Sequence, residues 1–344
     1  MTDDERATLA ERDAQGARLR GLLFLACPDA PARAIESTAD AIVRHAEEMP
    51  DEPVPEAVYL SQPKQLSDAD RPNLTGAYLA DADLTDENLS GVILAGADLT
   101  RANLMQADLS GADLTRAALK GADLTRAILA GADLTRANLM QADLSGADLT
   151  RAALPRAYLP RAILAGADLT RANLMQADLS GADLTRAALK GVRLSGANLS
   201  GANLANADLT DENLSGAKLR GTNLTRATLT RADLSNVNLR HANLTDASLT
   251  RADLTRADLS SAHLSGAKLP GANLADANLA LADLTEAMLT GATDMRLPEG
   301  AIWNRETQWP ANLASIVAEH SDEVSPGLYR VRGGQSPVGS TVRV

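Results

Sequence analysis

Carboxylates are the commonest chemistry-bearing groups in the middle of this chain. Asp98, Asp108, Asp113, Asp133, Asp143 and Asp148 recur at five-residue spacings or multiples of them. Two adjacent carboxylates act as general acid and base when burial drives their pKa values apart. Here one residue type recurs over a long segment, the pattern of a solvated face rather than of one tuned pair. Histidines stand only at 45, 241, 263 and 320. His241 and His263 fall at positions expected on the surface in different columns, so no metal set forms. The single cysteine, Cys27, excludes a disulfide framework within the chain. No P-loop, dinucleotide fingerprint or serine nucleophile elbow is present. The expectation is a non-enzyme with no catalytic residue, no cofactor and no metal.

What must position these side chains is a repeat. Leu stands at every fifth position from Leu74 to Leu289, forty-four in all. The unit reads Ala-(Asp/Asn)-Leu-(Ser/Thr)-(Gly/Arg), as in Ala97-Asp98-Leu99. On a helix, five residues advance roughly 140°, which spreads the leucines all round. On a flat strand, five steps reverse the face. Every Leu reaches one core only if the chain bends once per unit. Four bends of about 90° close a square of about 20 residues, and stacked squares make a parallel β-helix. The crossover rule makes its coil right-handed. Leu74, Leu99, Leu134, Leu169, Leu204, Leu239 and Leu289 then mark the structural core, with Ala beside them. Asp/Asn, Ser/Thr and the last residue point outward or form corners, where Gly tolerates turn dihedrals.

Composition agrees with a narrow interior. The 344 residues are only 2% aromatic, with one Phe, Phe24. A square core sized for Leu and Ala has no room for rings. Net charge is −12, which disfavours direct nucleic-acid binding. Of this, −7 lies in residues 1–71 and −4 in residues 72–291. Arg101, Arg116, Arg126, Arg136 and Arg151 end their units and are expected to pair with neighbouring outward Asp residues. The longest compact apolar run, Leu22 to Ala26, is far short of a membrane span or a signal h-region, and a cytoplasmic chain without membrane contact is expected.

Tandem Ala-(Asp/Asn)-Leu-X-X units over residues 72–291 resemble the pentapeptide-repeat proteins. The resemblance implies a right-handed quadrilateral parallel β-helix, an all-β solenoid of about 11 coils. It also implies one alternative function. Some members mimic duplex DNA, bind a type II topoisomerase such as DNA gyrase, and protect it from quinolone-like poisons or inhibit it. Those members commonly place Phe in central slots, whereas all forty-four here are Leu. The leading reading is a protein–protein interaction scaffold, a stiff rod presenting its two end segments to partner proteins that the sequence does not name.

Three segments are expected. Residues 1–71 read as two helices, about 2–26 and 30–48, followed by a Pro-rich linker: a helical N-terminal cap or interaction segment. Residues 72–291 are the β-helix. Residues 292–344 form a small mixed C-terminal cap with a flexible tail, a short helix near 311–320 and a strand at Leu328–Val331. A solenoid needs its end edges covered, and Trp303 and Trp309 lie where the Leu column ends. They serve as a plug or as a homodimer contact through the C-terminal segment.

Inside the rod, residues 97–131 and 132–166 are near copies that differ only at 120/155, 121/156, 123/158 and 125/160. The second copy reads Pro155-Arg156-Ala157-Tyr158-Leu159-Pro160-Arg161 there. Tyr158 is expected outward, framed by Arg156 and Arg161, as a candidate partner contact. Pro155, Pro160 and Pro270 follow Leu, which requires that this N–H have no ladder partner.

Overall fold

The computed structural model describes residue 71 and residues 73–332. The chain is a parallel β-solenoid. Outward residues bridge to the residue 20 positions on, from Asn73 with Ile93 to Met288 with Gln308. One coil therefore holds four five-residue units.

Three kinds of backbone hydrogen bond join the coils, one of them the outward Asp98 N–H on the Ala77 carbonyl at 2.9 Å. Leu74 N–H donates to the Ile93 carbonyl at 2.7 Å, and Gly76 N–H donates to the Ala95 carbonyl at 2.9 Å. The corner itself is closed by Ala77 N–H on the Leu74 carbonyl at 3.0 Å. That is the four-residue β-turn bond, with positive φ at the third residue only, as in a type II turn. Gly76 has φ +68° there. The turn recurs at nearly every unit, so each side of the coil is a single bridged residue between bends rather than a long strand.

Gly or Arg was expected at this corner, and most corners carry a residue other than Gly. Arg101, Arg136 and Arg156 have φ of 57°, 60° and 58°. A left-handed non-Gly residue costs about 1–2 kcal/mol. It persists here because the turn bond, the ladder bond and the inward Leu all fix the same backbone path.

The core sits inside the coils. Leu99, Leu134, Leu169, Leu204, Leu239 and Leu289 are fully buried, and Leu74, on the first described coil, is 7% exposed. Ala fills most of the other inward slot. Glu87, Val92, Val192, Glu212, Thr222 and Val237 replace it. Thr222 stays satisfied because its hydroxyl donates to the Leu199 carbonyl at 2.7 Å.

After Thr293 the five-residue register ends, but the ladder continues. Leu284 N–H reaches the Ile302 carbonyl at 2.8 Å, and Leu289 N–H reaches Gln308 at 2.7 Å. Strand β1 (Ile302–Asn304) opens a three-stranded antiparallel sheet. Helix α1 (Ala314–Glu319) follows, then β2 (Ser321–Ser325) and β3 (Leu328–Val331). The sheet order is β1-β3-β2. The strand expected at Leu328–Val331 is present, and the helix expected near 311–320 spans a shorter range. The N-terminal helices, Cys27 and the flexible tail lie outside the described residues. Among the described residues, no helix is long and apolar enough to cross a membrane.

Candidate interaction surface

The outward carboxylates do structural work. Asp98 Oδ1 accepts the Thr100 N–H at 3.0 Å, and Asp148 Oδ1 accepts the Thr150 N–H at 2.9 Å. Asn does the same, as in Met140 N–H to Asn138 Oδ1 at 3.1 Å. These are Asx turns, satisfying the one corner donor that the ladder leaves over. The proline positions follow from this. Pro155, Pro160 and Pro270 have Ala153, Tyr158 and Lys268 two residues before them, none of which offers a side-chain carbonyl or carboxylate. Proline appears where the donor would have lacked an acceptor.

The expected pairing of corner Arg with outward Asp is corrected in most cases. Arg101 pairs with Asp81 at 2.6 Å and Arg231 with Asp211 at 2.5 Å. Arg226 approaches Asp246, and Arg296 pairs with Asp276. Each of these partners is the corner residue one coil away. Outward Asp residues are held in their Asx turns, and a corner Arg points along its own column. Arg240 with Asp258 at 3.7 Å joins a residue after Leu to an outward Asp. The guanidinium hydrogen bonds of Arg101 and Arg231 hold the Asp81 and Asp211 carboxyls below the usual carboxylate range.

Glu212 departs from the unit most clearly. It occupies an inward Ala slot and is 8% exposed. Its Oε1 accepts the Gly191 N–H at 2.6 Å. The bridges join Asp183 to Asn203 and Arg193 to Asn213 but skip Ala188 and Asp208 between them. The larger side chain opens the ladder locally and fills the gap with its own carboxylate. Burial, the leading cause, pushes its pKa up, partly opposed by the Gly191 hydrogen bond.

The expected exposure of Tyr158 is seen in its placement: it is 44% exposed and bridged to Asn138 and Asp178. Arg156 and Arg161 flank it, both exposed. Arg156 Nε donates to Gln176 Oε1 at 2.9 Å. Residues 155, 156, 158 and 160 run consecutively round this one side of one coil. All four differences between the near copies therefore fall together in space.

Trp303 and Trp309, expected as a plug or a homodimer contact, both pack with the hydrophobic core. Trp309 is buried, 9% exposed, and Trp303 is half-buried against the core. Trp303 meets Trp309 edge to face at 5.9 Å and stacks on Tyr329 at 4.7 Å. Trp303 Nε1 donates to Ser321 Oγ at 2.9 Å. The rings turn inward because the end of the Leu column is the apolar surface within reach. His241 and His263 are exposed, and no group of ligating side chains able to hold a metal occurs among the described residues.

Comparison with known proteins agrees with the five-residue geometry. The family of pentapeptide repeats matches in eight copies, beginning at 73–111 and ending at 257–293. Among solved structures, HetL from the cyanobacterium Nostoc sp. strain PCC 7120, a pentapeptide repeat protein involved in heterocyst differentiation regulation, is 37% identical. That match covers 64% of this chain and 92% of HetL, with a TM-score of 0.36. Rfr23 from the cyanobacterium Cyanothece 51142 is 32% identical over 33% of this chain and 90% of its own, TM-score 0.32. QnrB1, a plasmid-mediated fluoroquinolone resistance protein, is 20% identical over 66% and 95%, TM-score 0.30. No curated protein matches the chain. With the family match running from residue 73 to residue 293 over units whose Leu and Ala fill the coils, the chain belongs to the pentapeptide-repeat family.

Proposed function

We propose that this chain is a non-enzymatic protein–protein interaction scaffold, a rigid rod that presents a partner surface around Tyr158. The observation that carries this reading is the clustering of copy differences. Pro155, Arg156, Tyr158 and Pro160 replace Lys120, Gly121, Asp123 and Thr125, and the other three flank the exposed Tyr158 ring. Drift along a uniform rod would scatter such changes over several sides. Tyr and Arg are both among the residue types enriched at interface hot spots.

The finer architecture belongs to the same proposal. The rod is a right-handed quadrilateral β-helix of about 11 coils, each coil adding ~4.8 Å. Residues 1–71 and 292–344 are its end segments, and 72–291 the repeat domain. The inward tryptophans favour a C-terminal plug over a homodimer contact.

The test restores the first copy's residues: Pro155→Lys, Arg156→Gly, Tyr158→Asp and Pro160→Thr together. This stretch already folds as residues 120–125, so the change leaves the coil intact. Affinity capture from the native host with the parent and restored chains should show partners lost only from the restored chain. Identical partners on both would overturn the reading. A supercoiling assay with gyrase and a fluoroquinolone should show neither inhibition nor protection.

A further inference from the structure

One corner of the rod carries charge that nothing else in the fold uses. Arg116, Arg136 and Arg156 occupy the same corner in three successive coils, ~4.8 Å apart along the axis. All three are exposed. Arg101, Arg226 and Arg231 each reach a corner carboxylate one coil away. Among the described residues, Arg116 and Arg136 make no hydrogen bond or ion pair through their side chains, and Arg156 finds only the neutral Gln176. Three cations stacked at this spacing repel one another. Acids adjoin this row from one side only, through Asp113 and Asp133. The other adjoining side carries Ala118, Asn138 and Tyr158, with no carboxylate until Asp98 and Asp178 beyond them.

A groove of about 840 Å³ runs beside the three guanidinium groups, from Thr75 to Gln176. Ala95, Pro155 and Met175 give its floor an apolar character. Asp113 and Asp133 stand on its far side, each with Oδ1 tied to the N–H of Thr115 or Thr135. Thr75 to Met175 spans five coil steps, roughly 24 Å, about seven residues of extended chain.

We propose that this groove binds an extended acidic segment of a partner protein, whose carboxylates pair with Arg116, Arg136 and Arg156 while apolar side chains lie on Pro155 and Met175. This deepens the scaffold reading and rests on it. Guanidinium groups take carboxylates in a two-bond fork, and a row of them reads a row of acids. Two coil steps, about 10 Å, match about three residues of extended peptide. The groove favours a peptide over nucleic acid because its apolar floor has nothing to offer a phosphate backbone.

The test is fluorescence anisotropy on the full chain with labelled probes: an alternating Glu/Leu octapeptide, its Lys/Leu counterpart and single-stranded oligothymidylate. The Glu/Leu peptide should bind and the other two should not. Arg136→Glu should weaken binding at least about tenfold and Arg136→Lys about threefold, since Lys keeps the charge without the fork. Arg251→Glu places the same residue at an equally left-handed corner elsewhere (φ 57°) and should leave binding unchanged. Absence of peptide binding, indifference to Arg136→Glu, or equal binding of oligothymidylate would each overturn the proposal. Failure here is distinguishable from failure of the scaffold reading. If captured partners remain on the Arg136→Glu chain but leave the restored chain, the scaffold stands and the acidic occupant falls.

Discussion

The Glu212 carboxylate takes the N–H of Gly191 at 2.6 Å, a donor that elsewhere in the solenoid goes to a carbonyl of the next coil. A side chain has replaced a rung of the ladder, and the bridge between Ala188 and Asp208 is missing beside it. Glu212→Ala returns the slot to the family unit and lets the coils close. Regaining the ladder bonds should stabilise the chain by about 1–2 kcal/mol, read as a higher denaturant midpoint.

The same carboxyl sets a pH dependence. Burial raises its pKa in the folded state, so the folded chain holds that proton more tightly than the unfolded chain. The resulting stabilisation is complete below the unfolded value and is lost as pH rises through the folded value. Parent midpoints should therefore fall across that window, and Glu212→Gln should flatten this contribution. An unchanged slope in the Gln variant would show that other groups carry it.

Thr125→Pro should cost about 1–2 kcal/mol, because the Thr125 N–H is held by Asp123 Oδ1 at 2.9 Å. In an Asp123→Tyr background the acceptor is already gone, and the same proline should cost less. The equivalent pair, Tyr158 with Pro160, already stands one copy later. Denaturation of the four chains of this cycle measures the coupling.

At the corner of Gly131, φ is +67° and a Cβ would meet nothing within 4 Å. Only backbone preference opposes a side chain there. Gly131→Asn should be nearly neutral, Gly131→Ala should cost about 1 kcal/mol, and Gly131→Val more, because a β-branched residue resists positive φ. Thermal midpoints in that order check the argument.

Leu134→Ala should destabilise by about 2–5 kcal/mol through a cavity, and Leu134→Phe by about 1–3 kcal/mol through overpacking. Trp309→Ala should cost about 3–5 kcal/mol and abolish the near-ultraviolet circular dichroism of the ring cluster around Trp303. Retention of that signal would show that Trp309 does not support its neighbours.

Much of the fold was legible because one period decides where every side chain goes. Leu74 to Leu289 reach the interior as expected, and the coil length of 20 residues follows from the bends. Arg at the end of the unit was legible, but its left-handed dihedral was not, since intrinsic preference argues against it and only the closed ladder overrides that preference. The role of Asp98 and its equivalents as turn acceptors was half legible: the residue type suits it, but the donor left over by the ladder shows only in three dimensions. Glu212 was visible as a break in the Ala column, without any sign that it would open the coil. Trp303 and Tyr329 lie 26 residues apart with no repeat linking them, so their stacking had no sequence signal. At the candidate surface, exposed Tyr158 could be placed from the repeat. The row Arg116, Arg136 and Arg156 could have been found by writing the chain in lines of 20 residues.

That line length has a consequence for how such a chain changes. Tyr78 and Tyr158 are 80 residues apart and share a side of the rod, whereas Met105, Met140 and Met175, separated by 35, do not. Gain or loss of a single unit would be silent to the interior, where every Leu is interchangeable. Outside, it would rotate everything downstream by a quarter turn relative to everything upstream. Unit number is thus an angular dial: it sets which surface features face the same way without altering one residue of either.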